Sequence, residues 1–333
     1  MLAAVTAPST IPAAEASGAC TLARIAEWQL RSTRAQPILD GAINGRKIGI
    51  VLDTGAASSI VLRSAADRLG LVRYDARGHQ MMGIGGETAV ETVSIDELAI
   101  GTDVRRNWRA LVAGEHGFGS DIALILGEDF FRQADVEFDL AHDKVRLFQA
   151  RDCDGASLAY WAPDGAGVVE LESGAGTSIE LGVEINGRPA RAMLDSGAFS
   201  SVVTKSHAAV LGVTPESAGV VAAGCTSGLG QKTIDVWYGP FESFRIGNEL
   251  IRDPRIRFAD IWKFFKYRGG SLVSSRPAAL PDMLLGADFL RSHRVLVAHS
   301  QRKMYFTHAG STVFPVSASK ACADAQPAAP EPK

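Results

Sequence analysis

One long block of this sequence is written twice, and that repetition limits the fold more than any other feature. INGRKIGIVLDTGAASSIVLRSAADRLGL at 43–71 aligns without a gap on INGRPARAMLDSGAFSSVVTKSHAAVLGV at 185–213, an offset of 142. A second pair follows, LILGEDFFRQADVEFDLAHDKVRLF at 124–148 and LLGADFLRSHRVLVAHSQRKMYF at 284–306, at an offset of 159. A long-period repeat of this kind implies two copies of one structural unit. The length of 333 residues, 46% hydrophobic and 21% charged, leaves room for two globular units of roughly 150 residues with a core each.

Within each copy the local patterns read as strand. KIGIVLD, SSIVL, RALVA, ADVEFDL and KVRLF are short apolar runs bounded by Gly, Asn or Asp. Asn44-Gly45 and Asn186-Gly187 are two-residue hairpin signals. SAADRLGL and SHAAVLGV read as brief helices stopped by Gly70 and Gly212. A Gly-rich turn lies between the paired blocks of each copy, around Gly85 and around Gly228. The larger second offset marks an insertion late in copy two, for which RFADIWKFFKYRGG at 257–270 is the candidate, its aromatic residues packing a local helix against the lobe. The expected fold is mainly β, in two similar lobes with short helices. We divide the chain into an N-terminal segment 1–30, a first lobe 31–150, a linker 151–175, a second lobe 176–316 and a disordered tail 317–333.

Each copy carries an apolar strand ending in Asp, then a hydroxyl residue, then Gly: Val51-Leu52-Asp53-Thr54-Gly55 and Met193-Leu194-Asp195-Ser196-Gly197. A carboxylate at the end of a buried strand is costly to keep ionised unless it is paired or hydrogen-bonded. Pseudo-symmetry can set two such groups face to face. They then share a proton, so that one serves as general acid while the other serves as general base, without a metal or a covalent intermediate. The Thr54 and Ser196 hydroxyls can donate to backbone across the axis, and Gly55 and Gly197 give the backbone room beside the carboxylates.

Together these residues resemble a retropepsin-like aspartic protease, in a bacterial single-chain form with two such domains. The resemblance covers about 31–316 and rests on the two triplets and on the later apolar-apolar-Gly strands, Ile125-Leu126-Gly127 and Leu284-Leu285-Gly286. It implies a closed β-barrel lobe per repeat, an active site between the lobes, Asp53 and Asp195 as catalytic residues, no cofactor and no metal. It also matches Gly83-Ile84-Gly85-Gly86 and Gly228-Leu229-Gly230 to flaps that close over a bound peptide. The expected activity is that of an endopeptidase on peptide or protein substrates, in a monomer that is an internal pseudo-dimer. A catalytically weak peptide-binding module and a protease that only processes itself are the alternatives. Ala56 and Ala198 follow the triplets where pepsins commonly carry Ser, which removes a hydroxyl donor and predicts a mildly acidic optimum.

The remaining features are consistent with such a chain. A net charge of -3 gives no basic field for nucleic acid, and no apolar run approaches the roughly 20 residues needed to span a bilayer. None of the seven His residues stands in zinc-site spacing. The small, apolar first 19 residues read as a truncated export signal, placing the protein in the periplasm or outside the cell. Four Cys suit an oxidising compartment. Cys20 with Cys153, and by default Cys225 with Cys322, is the favoured pairing of three that are open.

Overall fold

The computed structural model describes residues 20–32, 36–114, 119–172, 178–265 and 280–316. Asn44 and Gly45 both take positive φ, 48° and 76°, and join Ile38–Ile43 to Arg46–Leu52 as a two-residue hairpin. Asn186 and Gly187, at 51° and 70°, do the same for Glu180–Ile185 and Arg188–Leu194. Each Asn side chain also accepts a backbone N–H from a neighbouring segment, Glu97 at 3.0 Å and Glu242 at 2.8 Å, so the turn is tied into the lobe.

The second strand of each hairpin lies parallel to the later apolar strand of the same copy. Leu52 is in register with Leu126, and Leu194 with Leu285. Ile122–Leu126 and Met283–Leu285 are buried throughout, which is why they appear as unbroken apolar runs instead of alternating ones. In the first lobe the seven-stranded sheet returns on itself, because Ile38–Ile43 pairs with both Arg46–Leu52 and Gly86–Ile100. Six of its strands thereby close a barrel.

The second lobe repeats the order in a nine-stranded sheet. Two long strands of lobe one, Gly86–Ile100 and Asp103–Ala113, are each represented by two pieces: Ile234–Pro240 with Ser243–Ile246, and Glu249–Arg252 with Arg255–Ala259. The interruptions fall at Pro240 and at Asp253-Pro254, where Asp253 has φ 50° and proline has no N–H for the ladder. Short helices Arg63–Arg68 and Lys205–Val210 end at Gly70 and Gly212, whose φ values of 66° and 78° suit helix termination.

A third sheet joins the halves. Its six strands run in the order Thr21–Gln29, Lys144–Arg151, Asp135–Asp139, His293–Ala298, Lys303–His308 and Gly167–Glu170. The copies meet in its centre, where Val136 and Phe138 face Val297 and Val295 in antiparallel register. Thr21–Gln29, from the N-terminal segment, supplies one edge strand, and Gly167–Glu170, from the expected linker, supplies the opposite edge, so that each covers an otherwise open side of the shared sheet.

The aromatic stretch also differs from expectation. Arg255–Ala259 is a barrel strand, and Ile261–Phe264 is a turn and not a helix. Trp262 donates its indole N–H to the Pro281 carbonyl at 2.9 Å, fixing the turn to the far side of the insertion. Residues 266–270 of the stretch, like the tail 317–333, lie outside the described residues. No helix among the described residues is long and apolar enough to cross a membrane.

Candidate active site

The parallel strand pairs deliver the two aspartates to the centre of the molecule. Asp53 donates its backbone N–H to Leu126 at 2.9 Å, and Asp195 donates its own to Leu285 at the same distance. The following loop is then held from below. Glu128 N–H reaches the Ala56 carbonyl and Ala287 N–H the Ala198 carbonyl, each at 2.8 Å. This close passage explains the Gly that ends each apolar strand. A Cβ on Gly127 would stand 2.6 Å from the Ala56 carbonyl oxygen, and one on Gly286 would stand 2.5 Å from the Ser200 carbonyl carbon.

A second pin was missed in the sequence reading. Ser59 donates its N–H and its hydroxyl to Asp129 Oδ1 at 2.8 and 2.7 Å, and accepts the Gly127 N–H at 3.0 Å. In lobe two Ser201 hydrogen-bonds Asp288 through backbone and hydroxyl, and accepts the Gly286 N–H at 2.9 Å. The available signal was that Gly-x-Asp and Ser-Ser both recur at matching places in the two copies.

Across the pseudo-axis the hydroxyl residues interlock. Thr54 Oγ1 donates to the Leu194 carbonyl at 2.8 Å and accepts the Ser196 N–H at 3.0 Å. Ser196 Oγ donates to the Leu52 carbonyl at 2.8 Å and accepts the Thr54 N–H at 3.0 Å. Both side chains are buried, with exposures of 1% and 0%, so these four bonds face no competition from water.

The carboxyl groups of Asp53 and Asp195 hydrogen-bond each other inside this frame. Each lies directly over the Gly of the opposite loop. A Cβ on Gly55 would approach Asp195 Cγ to 2.5 Å, and one on Gly197 would stand 2.5 Å from both Asp53 carboxyl oxygens. Asp53 Oδ1 accepts the N–H groups of Gly55 and Ala56 at 2.9 and 3.1 Å, while Asp195 Oδ1 accepts that of Ala198 at 2.9 Å. Burial pushes both carboxyls above the usual range. For Asp53 the neighbouring charge of Asp195 pushes further the same way, and the backbone donors offset only part of this. Two facing carboxyls that both resist ionisation share a proton as a pair.

Elsewhere the two lobes touch again, where two hairpins meet tip to tip. The Gly230 N–H donates to Ile84 at 3.0 Å and the Lys232 N–H to Gly85 at 3.1 Å. Gly83 packs against Leu229, and Gly228 against Ile84, at distances that leave no room for side chains at either glycine. The two Gly-rich turns, far apart in sequence, are thus brought together. Cys20 and Cys153 form a disulfide with a Cα separation of 4.4 Å, fastening the first edge strand of the shared sheet. Cys322, the expected partner of Cys225, lies outside the described residues.

Comparison with known families agrees with this architecture. Residues 39–133 match the family described as "gag-polyprotein putative aspartyl protease", and residues 181–289 match the family described as "Aspartyl protease". The two matches, one per copy, cover more than half of the chain. The chain belongs to the retropepsin-like aspartyl proteases. Its aspartyl protease domain is present twice, and each matched stretch contributes one of the facing aspartates. A retropepsin-like aspartic protease from Rickettsia conorii is similar at 18% identity over 40% of this chain and 95% of its own, with a TM-score of 0.27. No curated protein matches.

Proposed function

We propose that this aspartyl protease homologue is an active endopeptidase, and that Asp53 and Asp195 carry the chemistry. The observation behind this reading is the pair of secluded, facing carboxyls, each seated over the glycine of the opposite lobe. Asp195 takes a proton from a water as its oxygen attacks the peptide carbonyl carbon, and Asp53 gives its proton to the carbonyl oxygen. The resulting gem-diol collapses as the C–N bond breaks. The leaving nitrogen takes the proton from Asp195, and one diol hydroxyl returns a proton to Asp53, restoring the starting state. Thr54, Ser196, Gly55 and Gly197 hold the geometry. The two Gly-rich hairpin tips act as flaps that must part to admit a peptide and close over it.

Digestion of a peptide library at several pH values tests the reading, with wild type and Asp195→Asn compared in the presence and absence of a statine-type mimic of the diol. Cleavage by wild type that the mimic and the substitution both abolish is the expected result. Cleavage that survives Asp195→Asn rejects the dyad. If wild type cuts only its own chain, as seen by intact mass before and after acidification, action on other proteins is rejected.

We further propose that the protein is exported to the periplasm or beyond. The Cys20–Cys153 disulfide supports an oxidising compartment. Fractionation of cells expressing the full chain tests this, and recovery of a reduced protein in the cytosolic fraction would reject it.

A further inference from the structure

The dyad is built from two copies of one loop, and a bond from outside the loops makes the copies unequal. Gln36, in the segment that leads into lobe one, donates its side-chain N–H to the Gly197 carbonyl of lobe two at 2.5 Å. Its counterpart, at the offset of 142, is Ser178. The two segments are placed alike, since Pro37 accepts the Leu52 N–H at 3.0 Å and Ile179 accepts that of Leu194 at 2.9 Å. The shorter serine makes no mirror-image bond: among the described residues none donates to the Gly55 carbonyl.

The Gly197 carbonyl belongs to the same peptide group as the Ala198 N–H, which donates to Asp195 Oδ1 at 2.9 Å. A donor on the oxygen of a peptide group draws electron density from its nitrogen and strengthens the bond its N–H makes, by about 10–30%. Gln36, the Gly197–Ala198 peptide and the Asp195 carboxyl therefore form one chain of hydrogen bonds oriented the same way. In lobe one the equivalent N–H of Ala56 reaches Asp53 Oδ1 at 3.1 Å without that support. A stronger donor favours the charged form of the carboxyl it serves.

A tie between the lobes is the competing explanation. The same loops are already joined by the four bonds of Thr54 and Ser196, which are symmetric and cannot choose between the carboxyls. The charged group facing Asp195 is Asp53 itself. Behind the loops, Asp129 and Asp288 are bound to Ser59 and Ser201, Arg257 acts on Asp288, and Glu128 faces His299.

We infer that Gln36 is a positioning residue that breaks the symmetry of the dyad, acting through the Gly197–Ala198 peptide to hold Asp195 as the carboxylate and leave the proton on Asp53. This rests on the reading of the chain as a peptidase, and names which aspartate receives the proton of the attacking water.

Carbon NMR of protein labelled at the Asp carboxyl carbons gives a readout that needs no turnover, with the two signals assigned through Asp53→Asn and Asp195→Asn. Between the two ionisations of the pair, the Asp195 carbon of wild type is expected toward the carboxylate end of the shift range and the Asp53 carbon toward the protonated end. Gln36→Met, which keeps the length and removes the donor, should narrow this gap and move the acid limb of kcat/KM up by about half a pH unit. Gln36→Lys, which keeps a donor, should hold the limb at or below its wild-type place. A tie that is only structural lowers kcat at every pH and leaves the limb where it was. If Gln36→Met does not fold, Ser178→Gln, made with Gln36 in place, should narrow the gap by giving the Gly55 carbonyl the same support. Equal shifts for the two carbons in wild type, or a gap unchanged in both Gln36→Met and Ser178→Gln, overturn the inference and leave the peptidase intact. A gap that narrows as expected in a protein that cuts no peptide overturns the peptidase reading instead. Equal shifts together with no cleavage overturn both.

Discussion

Thr54 and Ser196 stand 142 residues apart in sequence and exchange hydroxyl and backbone hydrogen bonds across the pseudo-axis, each accepting the other's N–H at 3.0 Å. Removing either hydroxyl leaves a buried N–H and a buried carbonyl without a partner, at a cost of about 2 kcal/mol. Thr54→Ala and Ser196→Ala should each lower stability by that order in denaturant unfolding. The double variant should lose less than the combined cost of the two, since the bonds form one network. Strict additivity would show that the two side chains act independently.

Asp53→Asn and Asp195→Asn should each lower kcat by about two to four orders of magnitude, since each removes a proton-transfer group. The pH profile of kcat/KM should be bell-shaped and lie in the mildly acidic range. Burial raises both carboxyls, the charge of Asp195 raises Asp53 further, and backbone N–H groups are the donors seen at Asp53 and Asp195. The active form carries one proton on the pair, and raised pKa values keep that proton bound to higher pH. A maximum near pH 2 would contradict the assignment.

Gly55→Ala and Gly197→Ala should fold and yet lose activity. The added methyl would meet a carboxyl group of the opposite lobe at about 2.5 Å, so the carboxyl must move. Circular dichroism like that of wild type, with turnover reduced at least as much as in Asp195→Asn, is the expected combination. Full turnover in either variant would show that the carboxyls are not seated as described.

Glu128 predicts how stability changes with pH. Its carboxyl is buried, 2% exposed, next to His299 at 3.4 Å, and burial raises its pKa from 4.5 to about 8. A pKa raised on folding gives stability that is complete below the unfolded value and is lost as pH rises toward the folded one. The loss should therefore run between about pH 4.5 and pH 8, by about 1.4 kcal/mol per unit at most. Glu128→Gln should flatten this decline and be the more stable form at pH 8, as read from thermal or denaturant midpoints across pH. Parallel curves for the two proteins would reject the role. Burial shifts His299 the opposite way, also toward its neutral form.

Much of this arrangement was legible in the sequence because the repeat states it twice. The Asn-Gly turns, the Asp triplets and the apolar-apolar-Gly strands involve short-range geometry, and each occurs in both copies. The shared sheet was not legible, because edge strands such as Gly167–Glu170 are short and half-exposed, with no apolar run to mark them. The broken strands of lobe two were also hidden, since Pro240 and Pro254 read as loop boundaries until their pairing with a continuous hairpin is seen. The arginine at 257, on the barrel strand Arg255–Ala259, was read as part of an insertion, because its alternating neighbours carry too much aromatic and basic character to resemble the matching strand of lobe one.

The tips of the two Gly-rich hairpins hydrogen-bond each other. If they act as the flaps of a peptidase, these bonds latch the cleft, and every ligand would share one unlatching equilibrium. Apparent affinity is then the intrinsic affinity multiplied by the fraction of molecules that stand open. Variation at Gly85 or Gly230 would change how often the enzyme is available without touching what it recognises, so supply and selectivity could be adjusted separately within one cleft.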